Sequence, residues 1–215
     1  MSDLHSINEA INKRAGRKLL PSILVSLLLL AAIFISIAYV PILFALLVGT
    51  AVMLATRELI AAFHARGIEV RFLHLSLATA ALIASSWLAG LSGLAISIVI
   101  SMIALLFIQL MKGIDGFVKN ATASLFALLY PGFVSGFIFL LARSENGFEY
   151  ITTLVILVGC NDTFAYLAGV AIGKHPLAEK ISPKKSWEGF IGGLIATTIG
   201  SSLAFYYLLD RHPYI

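Results

Sequence analysis

The residues best suited to chemistry lie between positions 161 and 193, in an otherwise apolar part of the chain. Asp162 stands about midway along the apolar run 150–172, where a carboxylate costs about 2.5–3.5 kcal/mol to insert and is a candidate for function. Steps of three and four residues place it on one helix face, made of Gly159, Asp162, Tyr166, Gly169 and Gly173. This face predicts a water-filled cleft. It is also compatible with a helix-packing face in which Asp162 is hydrogen-bonded to a neighbouring span.

The segment that follows, 173–188, is a basic loop suited to binding phosphate. It contains two serines, Ser182 and Ser186, and four lysines, Lys174, Lys180, Lys184 and Lys185. Phosphates are bound by cations and by backbone N–H groups near a helix N-terminus, and either serine is placed to cap the helix that follows. Glu188 falls in the first turn of that helix, where a negative charge is favourable. The lysines are equally compatible with an orientation signal.

Membrane-spanning helices must position these residues. Hydrophobic residues make up 60% of the 215 and charged residues only 12%, whereas a soluble domain has about 25% charged residues. About 20 apolar residues cross a bilayer as a helix. Runs of roughly that length are 20–38, 41–56, 73–90, 93–111, 121–142, 150–172 and 189–209. The sequence therefore predicts an all-α, polytopic transmembrane helical bundle with about seven spans.

The basic residues predict the orientation, because cytoplasmic loops carry the excess of Lys and Arg. With the N-terminus in the cytoplasm and the spans alternating, thirteen of the fifteen basic residues fall inside, the exceptions being Arg143 and Arg211. The loop 173–188 then faces the cytoplasm, and we expect an integral protein of a bacterial cytoplasmic (inner) membrane. Orientation and attraction to anionic membrane lipids explain the net charge of +4, so no nucleic-acid partner is expected.

These patterns divide the chain into three regions. Residues 1–19 form a cytoplasmic segment in which apolar residues at helical spacing (Ile7, Ala10, Ile11 and Ala15) are compatible with a surface helix. Residues 20–142 hold about five spans, and 143–215 form the region that carries the chemistry. In that last region Gly189 and Gly193 predict close helix packing, while Pro131 predicts a kink in the fifth span. A homodimer is compatible with this architecture.

Three stretches resemble the family of phosphatidate cytidylyltransferases, also called CDP-diacylglycerol synthases. They are Asn161-Asp-Thr-Phe-Ala-Tyr-Leu-Ala-Gly169, Gly173-Lys-His-Pro-Leu-Ala178 and Ile181-Ser-Pro-Lys-Lys-Ser-Trp-Glu-Gly189, followed by Gly192 and Gly193. The spacing of the stretches also matches, and the Ser-Pro-Lys-Lys-Ser-Trp-Glu-Gly block is specific. Weaker similarity lies upstream, at 57–59 and at 130–136. The resemblance covers most of the chain, strongly for about 33 residues.

The resemblance implies transfer of a cytidylyl group from CTP to phosphatidic acid, giving CDP-diacylglycerol and pyrophosphate. Since one substrate is a lipid and the other is soluble, it implies a site at the cytoplasmic face of the membrane. On this basis we expect Asp162, Lys184 and Lys185 to be catalytic, with Asp162 holding Mg²⁺, which together with the lysines compensates phosphate charge. The residues expected to bind substrate or shape the loop are Asn161, Tyr166, Lys174, Ser182, Ser186 and Glu188.

One departure from the family affects what these 215 residues are expected to do. Family members carry a further signature with a lysine-aspartate element, a His-Gly-Gly turn and an Asp-Arg-x-Asp ending, which supplies acidic residues for metal. The sequence contains no such segment, so we expect a fragment or divergent relative that is inactive alone, because too few carboxylates remain to hold a divalent metal. One alternative is a CTP-dependent enzyme acting on an archaeal ether lipid or a polyprenol. Another is a non-enzymatic transporter or scaffold, although the sequence shows no transporter-like repeats.

Overall fold

The computed structural model describes the backbone of residues 19–209 and the side chains of 24–182 and 185–209. The helices are α1 (Leu19–Tyr39), α2 (Pro41–His64), α3 (Phe72–Leu110), α4 (Phe117–Ala127), α5 (Val134–Arg143), α6 (Gly147–Ile172) and α7 (Trp187–Ala204), with π-helical segments at Leu128–Phe133 and Phe205–Leu209. Two short strands, β1 (Pro176–Ala178) and β2 (Ser182–Ser186), lie between α6 and α7. The surface helix suggested within residues 1–19 lies almost wholly outside the described residues. The chain divides into an N-terminal unit, Met1–Phe139, and a C-terminal unit, Leu140–Ile215.

Membrane-spanning helices account for most of the described chain, which confirms the predicted all-α membrane architecture. Five helical segments of residues 19–209 are long and apolar enough to cross a bilayer: Pro41–His64, Phe72–Leu110, Phe117–Arg143, Gly147–Ile172 and Trp187–Leu209. A shorter apolar helix covers Leu24–Tyr39. Large apolar side chains such as Leu28 and Leu88 are exposed along these helices. Such a surface suits contact with the acyl chains of lipids, which are as apolar as leucine side chains.

The third and fourth predicted spans meet at a sharp turn within α3. A straight helix of 39 residues would be about 58 Å long, nearly twice the hydrocarbon core of about 30 Å. Gly90 breaks the helix with φ 64° and ψ −150°, a conformation that side-chain-bearing residues essentially do not adopt. A β-carbon placed on Gly93 would lie 2.5 Å from the carbonyl oxygen of Ser85, whereas residues eight apart in a straight helix are about 12 Å apart. The chain therefore folds back at Gly90, which confirms the predicted break.

The structure adds detail at two places. The second apolar run ends at residue 56, and α2 continues beyond it to His64 and carries Arg57 and Glu58 as exposed residues. Charged residues end an apolar run without ending a helix, because they can extend into water beside the membrane. The segment 173–188, expected to be a loop, contains the antiparallel strands β1 and β2.

The predicted kink around Pro131 takes the form of the π-helical segment Leu128–Phe133. Proline has no N–H and cannot continue the ladder of helical hydrogen bonds. The Ser135 hydroxyl donates to the Gly132 carbonyl at 2.8 Å. A β-carbon on Gly132 would lie 3.3 Å from Leu82 Cδ1, which shows that the glycine lets this segment approach α3 closely.

Two loops of the N-terminal unit meet at one end of its helices. Lys112 Nζ lies 3.2 Å from Glu69 Oε2, and Lys119 Nζ donates to the Gly67 carbonyl at 3.0 Å. The Glu69 amide donates to Asn120 Oδ1 at 2.9 Å. The segments 65–71 and 111–120 therefore lie on the same side, as the predicted alternation of spans requires.

Candidate functional site

The C-terminal unit is built on the antiparallel pair of helices α6 and α7, which pack through small residues. β-Carbons added to three glycines of α7 would meet α6 at less than 3 Å. The contacts are Gly189 with the Ala165 carbonyl oxygen (2.7 Å), Gly192 with Ala168 Cβ (2.5 Å) and Gly193 with Asn161 Oδ1 (2.8 Å). Small residues let helix backbones approach this closely in a membrane. The packing predicted for Gly189 and Gly193 is confirmed.

Asn161 and Asp162 lie about midway along α6, beside the contact with α7. Asn161 Nδ2 donates to Asp162 Oδ1 at 3.3 Å, and its other side-chain atom, Oδ1, faces Gly193. Asp162 is exposed, and Asn161 is its one hydrogen-bond partner among the described residues. Tyr166 is 70% exposed one turn further along. Both alternatives, a polar cleft and a hydrogen bond from Asp162 to another span, stay predictions.

The five residues of the predicted face of α6 have different neighbours. Gly159, Asp162 and Tyr166 are exposed, and a β-carbon on Gly159 would meet nothing within 4 Å. β-Carbons added to Gly169 and Gly173, at the end of the face, would lie 3.4 and 2.7 Å from the Ser186 hydroxyl. Gly169 is half-buried and Gly173 remains exposed, and the cleft along this face stays a prediction.

The segment between the two helices is an ordered β-hairpin. Pro176 pairs with Ser186 and Ala178 with Ser182, and the Ile181 amide donates to the Ala178 carbonyl at 3.1 Å across the turn. The Ser186 hydroxyl accepts a hydrogen bond from the Gly189 amide at 3.2 Å and so caps α7. Of the two serines that could have formed this cap, the structure selects Ser186.

Glu188 ties the end of α6 to the start of α7. Its carboxylate accepts hydrogen bonds from the backbone amides of Lys174 and His175 at 3.2 and 3.3 Å. His175 Nδ1 lies 2.6 Å from the other carboxylate oxygen, and this bond is charge-assisted when the imidazole is protonated. The Glu188 side chain is 21% exposed and that of His175 78%. The loop shape expected from Glu188 is thus produced by bonds to residues 13 and 14 positions earlier.

These contacts determine which N–H groups and side chains of the segment are still available to bind a phosphate. The amides of residues 174 and 175 are bonded to Glu188, the Trp187 amide donates to the His175 carbonyl at 2.9 Å, and the Gly189 amide donates to Ser186. These four N–H groups are therefore satisfied within the protein. The side chains of Lys174 and Lys185 are exposed and pair with no described residue. Lysine side chains, rather than these amides, are the groups available to an anion.

Two more predicted site residues lie on strand β2. Ser182 begins the strand and is half-buried. Lys184 lies in the middle of the strand, but its side chain lies outside the described residues. The structure therefore brings Lys174, Lys185, Ser186 and Glu188 together around the hairpin, with Asn161 and Asp162 deeper along α6.

A magnesium site is only partly provided by the described side chains. Asp162 supplies one carboxylate beside the Asn161 amide. Within residues 24–182 and 185–209, no three His, Cys, Asp or Glu side chains are close enough together to hold a metal. Mg²⁺ is commonly held by one or two protein carboxylates plus substrate phosphates, so Asp162 fits as one ligand and not as a complete site.

The profile of the cytidylyltransferase family matches residues 21–215. The chain therefore belongs to the cytidylyltransferase family. The chain is 38% identical over 76 residues to a phosphatidate cytidylyltransferase of Mycobacterium bovis, covering 35% of this chain and 25% of that protein. It is 44% identical over 75 residues to one of Staphylococcus aureus, covering 35% of this chain and 28% of that protein.

The matched region spans about a quarter of the length of these curated relatives. A phosphatidate cytidylyltransferase of Mycobacterium leprae is similar over 81 residues, at 38% identity, covering 38% of this chain and 26% of that protein. No solved structure matches the chain significantly.

Proposed function

We propose that this chain takes part in transferring a cytidylyl group from CTP to phosphatidic acid, giving CDP-diacylglycerol and pyrophosphate. A phosphate oxygen of the lipid attacks the α-phosphorus of CTP. The bond between that phosphorus and the oxygen bridging to the β-phosphorus breaks, and pyrophosphate leaves with the electron pair. Family membership and the names of the relatives support this reaction.

The observation that carries the proposal is the preformed basic hairpin at the end of α6. Glu188 holds residues 174 and 175 in place, so Lys174 and Lys185 are presented on an ordered support. A phosphoryl transfer of this kind needs positioning and charge neutralisation more than covalent chemistry. Two exposed lysines, Lys174 just before the hairpin and Lys185 on strand β2, meet that need for the anionic phosphates of CTP, with Lys184 as a third candidate on the same strand.

Asp162 is the second part of the proposed site. Its carboxylate lies 11 residues before Gly173, or about 16 Å along the helix, and so below the hairpin in the apolar part of the span. Asp162 would hold Mg²⁺ together with phosphates of the substrates, and the bound ion would supply neutralisation of phosphate charge. Asn161 fixes the position of that carboxylate through its side-chain amide, and Tyr166 lines the same open face.

We further propose that the hairpin faces the cytoplasm, across a bacterial cytoplasmic membrane. Thirteen of fifteen basic residues support this orientation, and the contact between segments 65–71 and 111–120 supports the alternation on which the count depends. CTP is soluble and phosphatidic acid lies in the leaflet, so a hairpin at the membrane surface can meet both.

The direct test uses membranes containing the natural full-length protein, supplied with phosphatidic acid and CTP labelled at the α-phosphorus. Label is expected to enter a chloroform-soluble product that comigrates with CDP-diacylglycerol, with one pyrophosphate released per lipid formed. Membranes without the protein are the control. Failure to label lipid, or label transfer to a polyprenol in preference to phosphatidic acid, would overturn the proposal.

A further inference from the structure

The N-terminal unit contains an open cavity of about 470 Å³ at the loop end of α2 and α3, here called the polar cavity because charged side chains line part of its mainly apolar surface. It is lined by His64, by residues 69–74 and by Lys112. Lys112 is paired with Glu69 at 3.2 Å, so these two charges compensate each other. The side chain of Arg71, which also lines the cavity, has no partner among the described residues. The cavity therefore keeps a net positive charge.

The start of α3 adds hydrogen-bond donors to this cavity. Arg71 occupies the N-cap position, and no side chain caps the helix. The first N–H groups of a helix have no partner within it and favour an anion. Phe72 and Leu73 follow, and both are exposed apolar side chains that line the same cavity. Cation, free N–H groups and an apolar rim together suit a phosphate that is attached to an apolar molecule.

A second cavity of about 510 Å³ lies between the same two helices, further into the membrane. Its lining is almost entirely apolar and includes Leu46, Gly49 and Met53 on α2 and Ala80, Ala84 and Leu88 on α3. The Thr50 hydroxyl also lines it but donates to the Leu46 carbonyl at 2.7 Å, so this group is already satisfied. A cavity of this kind suits a hydrocarbon chain.

The two cavities lie along one stripe of α3. Leu73 lines the polar cavity, Leu77 is 61% exposed, and Ala80, Ala84 and Leu88 line the apolar cavity. Steps of three and four residues keep all five on one helix face. The α3 residues that line the apolar cavity lie 7 to 15 residues beyond Leu73, or about 10 to 22 Å, so the nearer part of this cavity lies within the depth of one leaflet, about 15 Å.

We propose that this seam between α2 and α3 binds one anionic phospholipid. The lipid phosphate lies in the polar cavity, against Arg71 and the first N–H groups of α3, and an acyl chain runs past Leu77 into the apolar cavity. A free phosphate would use only the first cavity. The alignment of both cavities along one helix face favours the lipid. The proposal does not depend on the cytidylyltransferase reaction.

The test measures lipid retained by the natural full-length protein, by native mass spectrometry during titration with phosphatidylglycerol, with zwitterionic phosphatidylcholine as the comparison lipid. Arg71→Ala is expected to weaken phosphatidylglycerol binding about fivefold, the effect of one basic residue beside an anionic headgroup. Arg66→Ala removes an exposed arginine of the same loop that does not line the cavity, and is expected to leave binding unchanged. Phosphatidylcholine is expected to bind several-fold more weakly to the unaltered protein.

The acyl chain is tested separately. Ala84→Leu places three extra carbons in the apolar cavity and is expected to reduce retention several-fold, whereas Ala81→Leu, on an exposed position outside the cavity, is the matched control. Equal effects of the two arginine variants would show general attraction to basic loops and overturn the proposal. So would equal effects of the two leucine variants, or full displacement of the lipid by excess inorganic phosphate.

Discussion

Substituting one glycine of α7 tests whether the close contact between α6 and α7 holds the candidate site together. In Gly192→Ala the new β-carbon would lie 2.5 Å from Ala168 Cβ, whereas carbon atoms pack at about 3.5–4.0 Å. The Ala168 methyl cannot rotate away, so the helices must separate by about 1 Å. Overpacking of this kind costs about 1–3 kcal/mol.

The matched variant is Gly159→Ala on α6, where the new β-carbon would meet nothing within 4 Å. Replacing a glycine inside a helix by alanine stabilises the helix by about 0.5–1 kcal/mol, and this gain is common to both variants. The difference between the two variants therefore isolates the steric cost. We expect Gly159→Ala to be the more stable by about 1–3 kcal/mol, or roughly 2–12 °C in Tm for a protein of this size.

Cys160 provides an assay that is specific for this helix pair. It is the single cysteine of the 215 residues, and its Sγ would lie 3.2 Å from a β-carbon on Gly200. With any cysteine outside these 215 residues replaced, reaction of the Cys160 thiol with a fluorogenic maleimide during heating reports separation of α6 from α7. Equal Tm values, or a higher Tm for Gly192→Ala, would refute the packing argument.

Three further predictions concern the chemistry and are measured on the full-length protein in membranes. Asp162→Asn keeps the shape of the side chain but removes its charge, and is expected to abolish CDP-lipid formation while leaving membrane insertion intact. Glu188→Gln weakens the bonds to residues 174 and 175, and is expected to increase proteolysis of the hairpin and to raise the KM for CTP more than it lowers kcat. Combined Lys184→Ala and Lys185→Ala substitutions remove two positive charges, and are expected to raise the KM for CTP at least tenfold, about 1.4 kcal/mol.

Each of these has a control and a contrary outcome. Asp115→Asn changes an exposed loop carboxylate outside the C-terminal unit and is expected to retain activity; activity retained by Asp162→Asn would remove that residue from the site. Unchanged proteolysis in Glu188→Gln would show that the hydrogen bonds do not order the hairpin. If the double lysine variant keeps its CTP dependence but inserts in mixed orientations, those lysines are an orientation signal.

The sequence by itself determined the membrane architecture, because hydropathy is a property of residues in order along the chain. The run lengths located the spans, and Gly90 marked the turn within Phe72–Leu110, since only glycine adopts that backbone conformation. Ser186 could be predicted as one of two candidate caps, because a serine caps a helix through backbone groups only two or three residues away. The basic residues and the Ser-Pro-Lys-Lys-Ser-Trp-Glu-Gly block likewise identified the region of the site.

Hydropathy did not predict where α2 ends or that segment 173–188 contains strands, because a sequence pattern reports environment and not backbone conformation. The charges at 57 and 58 mark where α2 leaves the apolar layer, yet the helix continues to His64. The 173–188 segment has loop composition, yet its strands pair through Pro176–Ser186 and Ala178–Ser182 contacts. Helix and strand can both continue in water when hydrogen bonds are satisfied locally, and hydropathy does not detect this.

Only the tertiary structure decided how the candidate site is arranged. Helical spacing put five residues of α6 on one face, and the structure adds that the Ser186 hydroxyl lies against Gly169 and Gly173 while Asp162 is exposed. Helical spacing also could not show that Glu188 bonds to residues 174 and 175. Glu188 lies on α7, and a hairpin separates α7 from those two residues. Which side chains remain available for phosphate depends on which backbone groups are already satisfied, and that is settled by contacts between segments distant in sequence.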